Sequence, residues 1–534
     1  MDRDDDDFGE GFTAESHPLR PINTLSIPLG GKDTSRAASI SSSVSDLDVP
    51  IYTRETTVPL SAKKGLNGHL AFAIAAAALG SSFQHGYNTG VVNAPQELIE
   101  HWITEIKTNR TGVPTDISEV KMIWSIVVSI FCVGGMIGGS LVGTVADRFG
   151  RKGGLLLNNI LVILAVIFEG CAKAAASFEM IIVGRFLIGI NSGLNAGLAP
   201  MYLAEISPAH LRGAVGTVYQ LVITISILVA QILGLEQLLG TDSQWPLLLC
   251  LTIVPAIFQI FTLPMCPESP KYLLLSKGKD MAAQRGLSWL RGTIEVHDEM
   301  EEMRSEYESM KLIPRVTLKE LFFNSALRIP LIICVMVMLA QQFSGINAVM
   351  FYSTEIFITA KLAKDSAKLA TMGVGAMNVV MTLVSLVLVE KAGRKTLLLV
   401  GFIGMFIDTI MLVFCLNFAK SSNTAAYLSI VLVIMFVVLF AVGPGSIPWF
   451  LVSELFSQSA KPAATSVAIA VNWIANFIVT IGFLPLQIAL GAYVFVIFAV
   501  LQGLFALFIY KKVPETKNKT MEEISSMFRQ ISYQ

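Results

Sequence analysis

Residues 147–152 read DRFGRK, and 243 residues later positions 390–395 read EKAGRK. Both are acid, base, any residue, glycine, then two bases. Working outward, Glu205 followed by Arg212 returns as Glu454 and Lys461, an offset of 249 residues. PESPK at 267 returns as PETKN at 514, an offset of 247. Three short motifs repeated in one order at nearly one spacing imply a chain built from two homologous halves. Each motif abuts a long apolar run, so the duplicated unit is a bundle of apolar helices.

Composition agrees. The 534 residues are 53% hydrophobic and 15% charged, with a formal net charge of -1, against roughly 25% charged in an ordinary soluble domain. Mean hydropathy is +0.63. A near-neutral balance excludes the basic footprint of a nucleic-acid binder. The six cysteines sit singly in or beside apolar runs, which indicates neither a disulfide framework nor a metal site. No nucleophile–base pair or phosphate loop emerges, so an enzyme is disfavoured and no cofactor is indicated.

Twelve apolar spans are expected near 67–91, 121–145, 154–172, 178–201, 214–235, 245–264, 328–352, 367–389, 396–417, 426–449, 463–484 and 490–510. Most reach the roughly 20 residues that cross a bilayer as a helix, the available solution where no water satisfies the backbone. The fold class is therefore an all-α membrane protein of two six-helix halves, 64–264 and 328–511. A charged linker with short helices, 265–327, joins them. The acidic opening DRDDDD is no signal peptide, and residues 1–63 read as a disordered tail. Its serine cluster RAASISSSVSD (36–46) is either a phosphorylation target or a plain leader. Residues 512–534 read as a second tail, and neither tail names a partner.

Lys and Arg gather in 147–152, 390–395, the linker and Lys511–Lys512, which places that side and both termini in the cytoplasm. Asn109-Arg110-Thr111 then lies outside as a glycosylation acceptor, and the sequon at Asn518 lies inside. The paired acids Glu205, Glu268, Glu454 and Glu515 are not explained by topology. With Arg148, Arg185, Arg212, Glu390, Arg394 and Lys461 they are expected to form a charge network between the halves that biases an inner gate. Two duplicated halves around a central site is the plan of secondary transporters.

Several amides stand where apolar residues would be cheaper: Gln220, Gln341, Gln342, Asn347, Asn378, Asn472 and Asn476. Amides both donate and accept, which suits an uncharged polyhydroxyl ligand better than charge does. Trp449 and Trp473 offer flat faces to its C–H surface. Gly345 allows the seventh span to unwind. Gly443, Pro444, Gly445 and Pro448 must break or bend the tenth. Gly189, Gly193 and Gly197 are spaced for close helix packing. Asp408 reads as a paired structural residue.

GYNTGVVNAPQ (86–96), GRFLIGI (184–190), PMYLAEISPAHLRGA (200–214), CPESPKYLL (266–274), QQFSGINAV (341–349), VGPGSIPWFLVSELF (442–456) and VPETKNKT (513–520) resemble the facilitative glucose transporters, sugar porters of the major facilitator superfamily. The resemblance covers about 65–525. It implies an alternating-access hexose uniporter of the plasma membrane. It also implies sugar contact at Gln220, Gln341, Gln342, Asn347, Asn378, Trp449 and Asn472, an inner gate at Gly443–Pro444, and an outer gate at Phe351 and Tyr352. The chain departs from the family at Met338–Ala340, where glucose-preferring members carry Gln-Leu-Ser. It departs again at Ala441 in place of a glutamate and His85 in place of a phenylalanine. Proton-coupled relatives carry an aspartate where this chain has Asn88. Proton–sugar symport through His85 or Asp408, and a non-transporting sugar sensor, are the two other readings.

Overall fold

The computed structural model describes residues 65–208, 211–457, 459–519 and 521–533, without the side chains of 212, 213, 390, 450, 521 and 522. The amino-terminal tail with its serine cluster, and the side chains of Arg212 and Glu390, lie outside the described residues. All regular structure among the described residues is helical.

Among the described residues ten stretches are long and apolar enough to cross a membrane, and one of them, Lys461–Lys512, folds as two helices, Lys461–Leu490 and Val494–Lys512. A further span comes from Gly68–Ala77 and Phe83–Gly90, joined by one wider turn over 78–82. Its breaks leave no single helix of full length. The total is the twelve spans expected. Asn67 starts the first by accepting the amides of His69 and Leu70 at 2.9 and 3.0 Å, which satisfies two orphan donors of the first turn. Span ends run several residues beyond the apolar cores, as in the second span, Ile117–Phe149.

Apolar side chains divide between two environments. Phe131, Tyr202, Phe402 and Phe456 are buried between helices, whereas Ile167, Phe261, Val387 and Phe414 are more than half exposed. Apolar residues exposed along membrane-length helices form the surface that hydrocarbon covers. Glycines set the tightest contacts. A Cβ on Gly189 would lie 2.3 Å from the Phe131 carbonyl oxygen, and one on Gly193 would lie 2.4 Å from that of Gly135. The second and fourth spans therefore pack backbone to backbone. Across the halves, a Cβ on Gly135 would meet Trp473 of the eleventh span at 2.6 Å.

Two segments outside the expected spans are helical. Gln96–Thr111 follows the first span and ends at Gly112, whose φ of +70° suits only glycine comfortably. Met521–Tyr533 packs back on the second half through buried Ile524 and Phe528. The linker carries Asp280–Arg291, His297–Lys311 and Leu318–Phe323. Arg291 anchors it, donating to the Ile206 carbonyl at 2.7 Å while pairing with Glu299.

Candidate substrate site and gates

The seventh span breaks at Gly345, φ +94°, between Ser325–Phe343 and Ile346–Thr359. The tenth breaks at 443–446, between Asn423–Val442 and Ile447–Leu455. Each break frees backbone groups inside the bundle, and polar side chains must answer them. Gln341 does so, donating to the carbonyls of Pro444 and Gly445 at 3.0 and 2.8 Å. Its own oxygen accepts from Asn472 of the eleventh span at 2.7 Å. Gln342 donates to the Asn472 oxygen at 3.1 Å and accepts from Asn347 across the Gly345 break.

Four of the expected amides thus form one neutral cluster joining three spans. They are one another's partners, and amide donors and acceptors of this kind bond hydroxyls equally well. Trp449, 41% exposed, stands directly after the tenth-span break. Gln220 is exposed in the fifth span and Asn378 is half-buried in the eighth. Neither joins the cluster. Asn476 bonds Thr480 on its own helix.

A second amide network lies wholly in the first half. Gln84 donates to Asn159 at 3.1 Å, Asn159 to Gln259 at 2.9 Å, and Gln259 to Ser81 at 2.8 Å. Asn158 donates to Asn195, and Asn195 donates to Gln84 and Asn191. These residues are fully buried and hold the first, third, fourth and sixth spans together. The runs LNN (157–159) and INSGLN (190–195) were its available signal. His85 faces elsewhere, with Nδ1 3.3 Å from the Tyr219 hydroxyl and its ring stacked 6.5 Å from Trp473.

Arg185 corrects one expectation. It is buried in the fourth span, donates to the Asn88 carbonyl at 2.8 Å, and lies 4.6 Å over the Phe131 ring. It belongs to the interior of the first half, not to a gate network. Glu169, which sequence reading passed over, is equally buried and within electrostatic reach. Asp408 is also not paired: its Oδ2 has no hydrogen-bond partner among the described residues.

At the end carrying 147–152 and 390–395, the basic end, the duplication is visible atom by atom. Gly150 and Gly393 take φ of +80° and +85° to turn the chain. The Glu268 carboxylate then accepts the amides of Arg151, Lys152 and Gly153, the first donors of the third span. Glu515 accepts those of Arg394 and Lys395 at the start of the ninth. An acid at a helix start meets both unpaired donors and the positive end of the dipole. Arg151 pairs with Glu205 and Arg394 with Glu454, both at 2.9 Å. Ser269 donates to Glu205 and Thr516 to Glu454.

These pairs lie within each half, not between the halves as expected. Among the described residues no ion pair crosses between the halves at this end. Arg148 is exposed against the Phe149 ring; the true counterpart of Arg394 is Arg151. Lys461 makes no ion pair among the described residues, because Arg394 occupies Glu454.

The halves are fastened at the opposite end. Lys121 of the second span pairs with Glu100 at 2.8 Å and with Glu355 of the seventh at 3.1 Å. Lys364 pairs with Glu97 at 3.0 Å. Asn93 donates to Ser353 at 2.6 Å and to the Met350 carbonyl at 3.1 Å, and accepts the Thr354 amide at 3.1 Å. Burial outweighs the Lys121 ammonium at Glu100 and holds its carboxyl above the usual range. Phe351 and Tyr352 are buried beneath this latch, with Tyr352 stacked on Phe483 at 5.4 Å. Sequence reading missed the latch because its charges are scattered singly.

Residues 73–528 match the family model described as sugar (and other) transporter. The chain belongs to this family. The transporter is 46% identical over 465 residues to facilitated glucose transporter member 1 of Gallus gallus, covering 87% of this chain and 94% of that one. It is 47% identical over 467 residues to member 4 of Homo sapiens, covering 87% and 91%. Its fold matches the inward-open xylose transporter XylE of E. coli with a TM-score of 0.71 and 25% identity, over 86% of this chain and 99% of that one. The transporter therefore has the twelve-helix major facilitator fold, its halves fastened at the end of Lys121.

Proposed function

We propose that the chain carries a hexose, D-glucose foremost, down its gradient across the plasma membrane as a uniporter working by alternating access. The amide cluster carries this reading: a neutral site whose donors and acceptors bond one another at the breaks of two spans. Relatives named facilitated glucose transporters supply the substrate class. Gln341, Gln342, Asn347 and Asn472 bind hydroxyls, Gln220 and Asn378 join from the facing spans, and Trp449 covers the C–H face.

The basic end and both termini face the cytoplasm, and Asn109 carries glycan outside. In that orientation the latch is the closed outer gate over Tyr352, and Gly443–Pro444 is the hinge beside the inner one. When the transporter turns outward, the latch opens. The clusters around Glu205, Arg212 and Glu268 then meet those around Glu390, Glu454, Lys461 and Glu515. The halves divide at 64–264 and 328–511.

One observation favours proton coupling instead: buried Glu169 and Arg185 each keep polar atoms without hydrogen-bond partners among the described residues. Intramembrane ionisable groups are functional candidates by default. Asn88 beside Arg185 speaks against it. Reconstituted chain should take up D-glucose saturably and exclude L-glucose. Equal entry of both enantiomers contradicts a stereospecific amide site.

A further inference from the structure

Outside the transport pathway, the last helix builds a groove that neither gate nor site uses. Met521–Tyr533 lies against the seventh and tenth spans at the basic end. Ile524 and Phe528, one turn apart, are buried, and the Ser532 and Ser325 hydroxyls lie 2.9 Å apart. This docking leaves Met527 and Ile531 lining a groove of about 380 Å³ with Ile332 and Phe508. Ile332 and Ile531 are 49% and 47% exposed, so the packed helix does not complete its own apolar face. Lys511 and Lys512, in the last turn of the twelfth span, line the same groove. Both are exposed and make no ion pair among the described residues.

An apolar trough at the level where spans leave hydrocarbon, with the ammonium groups of Lys511 and Lys512 at one end, has the polarity of an acyl chain joined to an anionic head group. A zwitterionic lipid would bring its own ammonium towards the lysines and lose that advantage. A sugar or a free inorganic anion would leave the apolar wall uncovered. We propose that the groove holds one anionic phospholipid of the leaflet at the basic end. Its acyl chain lies between Ile332, Phe508, Met527 and Ile531, and its phosphate lies on Lys511 and Lys512. The lipid then fixes the last helix to the spans that carry Gln341 and the basic-end turn. The inference is independent of substrate and of which side the basic end faces.

The test is lipid retention by the full-length chain in detergent, read by native mass spectrometry during titration with phosphatidylserine or phosphatidylcholine. One phosphatidylserine should be retained roughly tenfold more tightly than phosphatidylcholine. Lys511→Gln with Lys512→Gln should bring the two to the same level. These side chains are exposed, so the variant should fold, and its elution as a single sharp peak checks that it does. Ile531→Ser should weaken both lipids. Millimolar inorganic phosphate should not displace the lipid. Equal retention of both lipids by the wild-type chain overturns the proposal, as does retention unchanged in the double variant. Displacement by phosphate assigns the lysines to a free anion and overturns it too. Retention of no lipid leaves the groove to a protein partner, with the same result.

Discussion

Lys121 on the second span holds Glu355 on the seventh at 3.1 Å and Glu100 at 2.8 Å, one ammonium serving two carboxylates across the closed end. All three side chains are less than a fifth exposed. Removing the lysine leaves two acids half-desolvated, which costs more than losing a surface pair. Lys121→Gln should therefore open this end. A cost of about 1 kcal/mol shifts the equilibrium about fivefold. An impermeant maleimide on Thr354→Cys, a position buried beneath the latch, should report that change. Glu100→Gln should move it less, since burial already disfavours that charge and Lys121 keeps Glu355. Equal effects would remove the lysine from the centre of the latch.

Gln341→Leu removes two donations to the tenth-span break and the acceptor of Asn472. Each such bond contributes roughly 0.5–1.5 kcal/mol net, and about 1.4 kcal/mol is tenfold in affinity. Glucose affinity should fall about tenfold, measured by competition against labelled sugar, with surface delivery nearly unchanged. Trp449→Leu should slow release at the basic end more than entry. Cys334→Ala, buried among apolar neighbours, is the better control. Asn191→Leu is not neutral, because it strips the scaffold network around Asn195.

At the basic end, Glu454→Gln should loosen the turn that Arg394 and Thr516 fasten. Amide hydrogen exchange over 390–395 and 513–519 should rise severalfold. Lys461→Gln should leave both segments unchanged. A rise with Lys461→Gln of similar size would show that the sequence offset, not the observed pairing, identifies Glu454's partner.

Asn109 is exposed at the end of a helix on the latched side, and Asn518 is exposed at the basic end. Asn109→Gln should abolish the mobility shift on enzymatic deglycosylation, whereas Asn518→Gln should leave it intact. A shift that depends on Asn518 would invert the orientation.

Apolar length and charged turns made the twelve spans legible, because the bilayer leaves the backbone few choices. The breaks at Gly345 and 443–446 were legible too, since glycine and proline limit the backbone locally. Four of the expected amides cluster, whereas Gln220, Asn378 and Asn476, singled out by the same residue type, do not, because position in the bundle decides which amides meet. Partnership was harder. Glu454 and Lys461 are neighbours in sequence motifs, yet Arg394 wins the glutamate by its approach from the ninth span. Arg148 and Arg151 share one turn, and only the helix start at Gly150 decides which faces Glu205. The latch was invisible for the same reason: Lys121, Glu100 and Glu355 meet only through tertiary packing.

The central claim, downhill transport of a hexose through a neutral amide site, is tested most directly by labelled D-glucose in proteoliposomes with and without an imposed pH gradient. Internal glucose should reach the external concentration and stop there under both conditions. Accumulation above that level when protons are driven inward, and its loss in Glu169→Gln, would contradict the uniporter and assign buried Glu169 to proton coupling.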